Sequence, residues 1–190
     1  MVTIADVTIR HGQVSGGGAA GEGAGIFNTG STLALTNVTL TANEARSGGG
    51  LYNKNSGFTA LTGITFSGNR ATAVGGGMRN FSGSSSTLTD VVFMGNEADR
   101  GGGMGNNTGS HELVGVIFAG NKARLGGGLY NINSSPELTN VTFNGNIANV
   151  VGGGMLNLVN SSSTVINTIL WGNTAAATNG GNEIFLSNSR

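Results

Sequence analysis

The chain has 190 residues, with 36 glycines, one proline and no cysteine, and only 9% of its residues are charged. The absence of cysteine excludes a disulfide framework and a thiolate metal site. A formal net charge of zero provides no electrostatic footprint for nucleic acid or an anionic membrane. No apolar run reaches the ~18 residues of a membrane span, and Met1–Ile4 already follows the repeat pattern, so we expect no signal peptide in the chain.

The first 28 residues predict the first coil of a repeat. Val2, Ile4, Val7 and Ile9 alternate with other residues, as they would on strands with one inward face. A longer insertion follows at residues 13–22, and loops of this kind are where binding functions are commonly grafted onto a repeat.

Residues 29–173 contain the regular repeat. One asparagine column follows glycine-rich turns, mostly Gly-Gly-Gly, and a second recurs every 25 to 27 residues. The columns are Asn28, Asn53, Asn80, Asn106, Asn131 and Asn157, and Asn43, Asn69, Asn96, Asn121, Asn146 and Asn173. A fixed period of this length is typical of a solenoid. Glycine costs about 1 kcal/mol per residue inside a helix, so the triplets exclude a helical solenoid.

Each period predicts three short strands and three turns. Leu61 precedes a bend at Gly63, Ile64 and Phe66 share one face of the next strand, and Met78 marks the third strand. Residues 174–190 continue as a terminal coil. We therefore predict one all-β domain, residues 1–190, folded as a right-handed parallel β-helix of about seven coils of 25–27 residues.

Equivalent positions in successive coils of a β-helix lie about 4.8 Å apart, so like side chains should stack. Phenylalanines should stack inside, asparagines should form amide ladders, and alanines should line a narrow part of the coil. The two apolar columns are Phe66, Phe93, Phe118 and Phe143, and Ala45, Ala71, Ala98, Ala123, Ala148 and Ala175. Glu44, Arg70, Glu97 and Lys122 alternate in sign, which predicts a solvated corner that sets coil register.

A doubled motif carries a family resemblance. Phe-x-x-Asn stands at residues 66–69, 93–96, 118–121 and 143–146, alternating with Gly-Gly-Gly followed by Leu or Met. This pattern resembles the repeat of polymorphic outer membrane proteins and the β-helical regions of bacterial surface proteins of the pectin-lyase-like superfamily, which often have Ala at the third glycine. The resemblance covers nearly the whole chain. It implies a secreted or cell-surface structural or adhesive protein with no defined ligand and no catalytic residue.

Because polysaccharide lyases and hydrolases share this fold, a polysaccharide-binding or polysaccharide-degrading protein is the alternative. Their chemistry needs clustered carboxylates, often with calcium. Asp90 occupies a bend column, Glu97 and Asp99 belong to the charged corner, and His11 and His111 lie in different coils. We therefore expect no catalytic residues, no metal site and no cofactor.

The strand after the glycines carries a candidate glycan site. Its pattern points Tyr52, Arg79 and Tyr130 outward, and exposed aromatic rings beside an arginine would suit stacking on sugars. The structural alternative is ordinary cross-strand packing on a β surface.

An apolar patch is the second candidate, formed by Val92, Met94, Val114 and Ile117. These residues are predicted to point outward on adjacent coils, where other coils place Thr or Ser. Val92, Met94 and Ile117 also interrupt the threonine rank that an ice-binding face would need. An exposed patch of this kind predicts self-association or a protein partner.

The open ends of a β-helix suggest a further partner. Residues 184–186 are apolar, and no amphipathic helix that could act as a cap is visible in the sequence. The sequence therefore predicts either a segment excised from a larger protein or head-to-tail self-association into a filament.

Overall fold

The coils pair as parallel strands and build a solenoid with four sheets. The computed structural model describes residues 1–55, 57–178 and 180–187. Within these residues the chain makes about six turns, and each regular coil contributes one strand to each sheet. The predicted all-β parallel solenoid is confirmed. The repeat places identical residues in register because consecutive coils are paired strand on strand.

The four sheets are named A to D in the order in which a regular coil passes through them. Sheet A consists of Val2–Ala5, Leu33–Thr36, Phe58–Thr62, Ser85–Thr89, His111–Val114, Glu137–Thr139 and Thr164–Ile166. Sheet B consists of Thr8–Arg10, Thr39–Thr41, Thr65–Ser67, Val92–Met94, Ile117–Ala119, Thr142–Asn144 and Ile169–Trp171. Sheet C consists of Glu44–Ser47, Arg70–Val74, Glu97–Arg100, Lys122–Leu125, Ile147–Val151 and Thr174–Ala175. Sheet D consists of Ile26–Thr29, Leu51–Lys54, Met78–Phe81, Met104–Asn107, Leu129–Ile132, Met155–Leu158 and Ile184–Ser187.

Each regular coil has four strands rather than the three expected from the sequence, because the segment predicted to be a charged corner forms the strand of sheet C. Arg70 pairs with Glu44 on one side and with Glu97 on the other, as the predicted register requires. Ala71 points inward and is buried, whereas Arg70 is exposed. A strand whose inward residue is alanine and whose outward residues are charged lacks the large apolar alternation that identifies a strand in sequence.

The insertion in the first coil lies beside the first strand of sheet C. Residues Gly18–Gly21 form a 3-10 helix, and isolated parallel bridges pair Gln13 with Glu44 and Glu22 with Ser47. The insertion therefore occupies the place that a first-coil strand of sheet C would take, which positions Glu22 next to sheets C and D.

The bend between sheets A and B uses left-handed backbone in every coil. Asp90 has a φ of 56° there, and Gly63 and Gly115 in the coils on either side have a φ of 65°. Asn and Asp tolerate this conformation better than most residues with a side chain. The interpretation of Asp90 as a turn residue is therefore confirmed.

The glycine triplets close the turn from sheet C to sheet D. Gly75 has a φ of 69°, and a Cβ on Gly77 would lie 2.8 Å from Cδ1 of Phe93. The third glycine thus makes room for the phenylalanine ring.

Phenylalanine and asparagine columns fill the interior as predicted. Neighbouring rings from Phe66 to Phe143 lie 4.7–4.8 Å apart with their planes within 4°. In one ladder Asn69 Nδ2 donates to Asn96 Oδ1 at 3.0 Å, and Asn96 Nδ2 donates to Asn121 Oδ1 at 3.0 Å. The other ladder runs through Asn53, Asn80 and onward in the same direction. The amides of both ladders therefore donate toward the C-terminal coil.

The left-handed residues lie next to the second asparagine column rather than within it. Gly68 and Gly95 have a φ of 60° and 62°, whereas Asn69 and Asn96 have negative φ. The ladder asparagines are thus placed by a preceding turn, and their amides are free to bond along the stack.

Candidate functional site

The predicted glycan residues lie in one column on sheet D. Tyr52 pairs in register with Phe27 on one side and Arg79 on the other, and Gly105 separates Arg79 from Tyr130. The structure therefore brings Tyr52 and Arg79 together and places Tyr130 two coils from Arg79.

The expectation that both tyrosine rings are exposed is wrong. Tyr52 is 1% exposed and Tyr130 is 5% exposed. Tyr52 lines a cleft together with side chains of sheet C, which cover the outward side of sheet D at this position. At Gly105 the covering residue is Val74, whose Cγ1 occupies the space of a Cβ. Neither tyrosine offers a free ring face of the kind that stacks on a sugar.

This cleft, which we call the C–D cleft, is a partly enclosed polar site. It has a volume of about 380 Å³. The residues that line it include Glu22, Arg46, Tyr52, Arg79, Phe81 and Arg100. Three sequence features meet here, namely the first-coil insertion, the charged strands of sheet C and the aromatic column of sheet D.

Arg79 lines the C–D cleft and is held there by three contacts. Its Nη1 donates to Ser47 Oγ at 2.7 Å. The guanidinium carbon lies 5.4 Å from the ring centroid of Tyr52 and 4.7 Å from that of Phe81. Contacts with two aromatic rings and a hydroxyl fix the orientation of the guanidinium group.

Burial dominates the electrostatics of the cleft. Burial raises the pKa of Tyr52 to about 12, opposed by the nearby Arg79 charge and reinforced by Glu22. Burial also lowers the pKa of Arg79 below its usual range, although an arginine remains protonated in proteins. At neutral pH the cleft therefore presents a neutral tyrosine and a guanidinium cation.

A buried Ser–His pair was missed by sequence reasoning. Ser86 Oγ lies 2.9 Å from His111 Nδ1, and Asn80 Nδ2 lies 3.4 Å from the same nitrogen. Ser86 and His111 are both at most 3% exposed, so the serine is not presented to a substrate. Burial lowers the pKa of His111 to about 4, and a hydrogen bond with the Thr108 backbone opposes this shift. We interpret the pair as part of the polar interior. The register that pairs Ser86 with His111 was the only sequence signal that could have found it.

The apolar patch faces outward, as predicted. Met94 is 50% exposed and Ile117 is 41% exposed, and Val92 and Val114 are partly exposed. Val92 and Ile117 pair directly across adjacent strands of sheet B. Val92, Met94 and Ile117 therefore share the outer face of sheet B on neighbouring coils, whereas Val114 lies on sheet A.

The charged face of sheet C holds ion pairs in the described residues. Arg70 Nη1 lies 3.0 Å from Glu44 Oε1, and Arg124 Nε lies 2.8 Å from Asp99 Oδ1. Arg100 contacts the same carboxylate at 3.3 Å. The Arg124 guanidinium holds the pKa of Asp99 below its usual range. Asp99 is therefore engaged as an ion-pair acceptor.

The described residues contain no group of three or more His, Cys, Asp or Glu side chains that could hold a metal ion. No helix in the described ranges has the length and hydropathy of a membrane span. Comparison with known proteins gave no match, whether with family models, curated proteins or solved structures.

Proposed function

We propose that the chain is a structural or adhesive β-helix module of a secreted or cell-surface bacterial protein. The observation that carries this proposal is the unbroken set of internal columns. Each regular coil adds one asparagine to each amide ladder, and four successive coils add a phenylalanine to the stack. A module stabilised along its whole axis in this way is suited to bear load or to hold an attached domain away from a surface.

The doubled Phe-x-x-Asn and Gly-Gly-Gly motif supports the surface location. It resembles the polymorphic outer membrane protein repeat, and the glycines and phenylalanines that carry the resemblance are the residues that pack against each other in the fold. The lack of cysteine fits export, since an exported chain without thiols avoids unwanted oxidation.

Protease challenge tests the structural proposal. The purified chain should resist a broad-specificity protease under native conditions, because its backbone is bonded into sheets along the whole axis. A variant with a charge in the phenylalanine stack, Phe93→Asp, is the matched sensitive control. Rapid cleavage of the unmodified chain within its coils would reject a load-bearing role.

The alternative, a polysaccharide-binding or polysaccharide-degrading protein, is favoured by one observation, the polar C–D cleft. It is tested by assaying pectin, alginate and related polymers for binding and turnover, with and without calcium. Activity that is lost in Glu22→Gln, which alters a carboxylate that lines the cleft, would replace the structural proposal with the enzymatic one.

Head-to-tail stacking would extend the module into a filament. Inward-facing Val2 and Val165, at opposite ends of sheet A, are 49% and 39% exposed. Both amide ladders donate in one direction, so a second copy stacked head to tail would meet them with matching polarity. A strictly monomeric chain at high concentration in light scattering would reject the filament.

A further inference from the structure

The outer face of sheet C carries a row of four charges that alternate in sign along the solenoid axis. Strand pairing places Arg70 in register with Glu44 and with Glu97, and Glu97 in register with Lys122. Arg70, Glu97 and Lys122 are exposed, and the Glu44 side chain is 42% exposed. Because successive coils rise by about 4.8 Å, the row is about 14 Å long. All four charges can therefore be reached from the front of the sheet.

The charges of this row are only partly neutralised within the chain. Arg70 Nη1 lies 3.0 Å from Glu44 Oε1, which uses one of the five N–H donors of the guanidinium group. Within the described ranges, Glu97 and Lys122 form no ion pair, although their strands place them in register. The row therefore offers one carboxylate, one ammonium group and several guanidinium donors to a partner.

The order of the charges is self-complementary under one symmetry. A two-fold axis perpendicular to sheet C, midway between Arg70 and Glu97, places a second copy face to face with its solenoid axis antiparallel. Arg70 of each copy then faces Glu97 of the other, and Glu44 of each faces Lys122 of the other. A two-fold axis parallel to the solenoid would set every charge against itself. Since like charges in contact oppose association, only the antiparallel arrangement is favourable.

The residues around the row leave room for this arrangement. Gln13 and Ile147 continue the row at its two ends, and they would face each other without adding a charge. The outward side chains two residues further along each strand would lie over the turns from sheet B to sheet C of the other copy. In these turns Gly68, Gly95 and Gly120 have open space where a Cβ would stand. No second set of like charges is therefore brought together.

We infer that the outer face of sheet C binds a second copy of the chain across this two-fold axis. The occupant is a second copy and not a polyanion or a polycation, because either polymer would meet like charges at half of the positions of the row. The contact uses the same face on both copies, so it closes as a dimer. One narrow sheet face held by exposed ion pairs makes this dimer weak and sensitive to salt. The inference is independent of the proposed structural role.

Charge reversal tests the symmetry of the contact. At low ionic strength the unmodified chain should dimerise in sedimentation velocity across a concentration series. Glu97→Lys and Arg70→Glu each create two like-charge contacts across the axis, so each should weaken dimerisation at least about tenfold. An equimolar mixture of these two variants should dimerise about as strongly as the unmodified chain, because every facing pair then has opposite charges. A fluorophore on the N-terminus of one variant distinguishes mixed dimers.

A mismatched mixture is the control for general attraction between oppositely charged molecules. Glu97→Lys with Lys122→Glu has the same opposite net charges as the first mixture, but two of its facing pairs have like charges, so it should not restore dimerisation. Arg10→Glu changes an exposed arginine on sheet B and should leave dimerisation unchanged. Melting temperatures are measured first. If Arg70→Glu fails to fold, Glu44→Lys mixed with Lys122→Glu is the second matched pair.

Four outcomes would overturn the inference. The first is a chain that stays monomeric at low ionic strength up to millimolar concentration. The second is a matched mixture that does not restore dimerisation, and the third is a mismatched mixture that restores it equally. The fourth is association that salt strengthens, since this would identify an apolar contact. The proposed structural role would survive all four, because it is tested separately by resistance to protease.

Discussion

Phe93 and Phe118 lie face to face inside the solenoid, with ring centroids 4.8 Å apart and planes within 4° of each other. This separation equals the spacing between paired strands, so the coil rise determines the ring geometry. Each ring also lies against a glycine of a triplet, as Phe93 does against Gly77. The packing of the phenylalanine stack and that of the glycine triplets therefore depend on each other.

A charge in the stack should unfold the chain. Phe93→Asp places an unpaired carboxylate where Phe93 is fully buried, and we expect a loss of more than about 4 kcal/mol of unfolding free energy. Phe93→Leu keeps an apolar side chain and should cost about half as much or less. Chemical denaturation measures both. An unchanged denaturation midpoint for Phe93→Asp would show that the column is not inward.

The amide ladder should be sensitive to the loss of a donor. Asn96 Nδ2 donates to Phe66 O and Asn121 Oδ1, both at 3.0 Å. Asn96→Asp keeps the acceptor oxygens but removes these donations, so at neutral pH we expect a loss of about 3 kcal/mol or more. Burial raises the pKa of a carboxyl group, so the variant should recover stability as the pH falls and the carboxyl is protonated.

The control for the ladder is Asn149→Asp, because Asn149 is an exposed asparagine on sheet C. It should change stability by less than about 0.5 kcal/mol. Equal losses at Asn96 and Asn149 would contradict the ladder as the cause.

Acid should weaken the native state through His111. Its pKa is about 4 in the folded chain, against about 6.5 when unfolded, so the unfolded state binds more protons between these values. Stability is therefore complete above pH 6.5 and falls as the pH decreases toward 4, by up to about 3 kcal/mol. His111→Asn should flatten the pH profile in this window, whereas His11→Asn, at an exposed position, should not. An unchanged slope in His111→Asn would assign the acid sensitivity to other groups.

The alternation of charges on sheet C should contribute modestly to the stability of the fold. Glu97→Lys would place like charges in register with Arg70 and Lys122. We expect a loss of less than about 1 kcal/mol, because these side chains are exposed to solvent. The loss should shrink in high salt when denaturation is repeated across an ionic-strength series. A salt-independent loss would indicate a steric cause.

The sequence predicted the interior better than the surface. The columns of Phe93 and Asn96 recur at a fixed period, and each repeat sees the same neighbours above and below, so periodicity alone identifies them. Sheet C was missed because Ala71 is too small to give the apolar alternation of a strand. The burial of Tyr52 depends on the angle between sheets C and D. The spacing of residues along the chain does not encode that angle.

The C–D cleft could be predicted only in part. Arg79 and Tyr52 were recognised because they share a column, but Glu22 lies in the insertion and has no equivalent in other coils. Its place beside Ser47 depends on an isolated bridge, which has no sequence signature. The polar partners of the site were therefore visible only in three dimensions.

The apolar patch should drive lateral self-association. Val92 and Ile117 pair across adjacent strands of sheet B, and their register neighbours on the outer sides are Thr65 and Thr142. The double variant Val92→Thr with Ile117→Thr therefore extends an existing threonine column and keeps β-branched residues on the strands. We expect weaker self-association and higher solubility, with stability unchanged within about 1 kcal/mol. Sedimentation velocity across a concentration series measures the association.

The reverse change, Thr65→Val, enlarges the patch and should strengthen the association. Since the variants alter the side of the solenoid and not its ends, any head-to-tail stacking should persist in them. If the double variant unfolds, these side chains are not on the outer face. If it associates as strongly as the unmodified chain, the patch is not the contact.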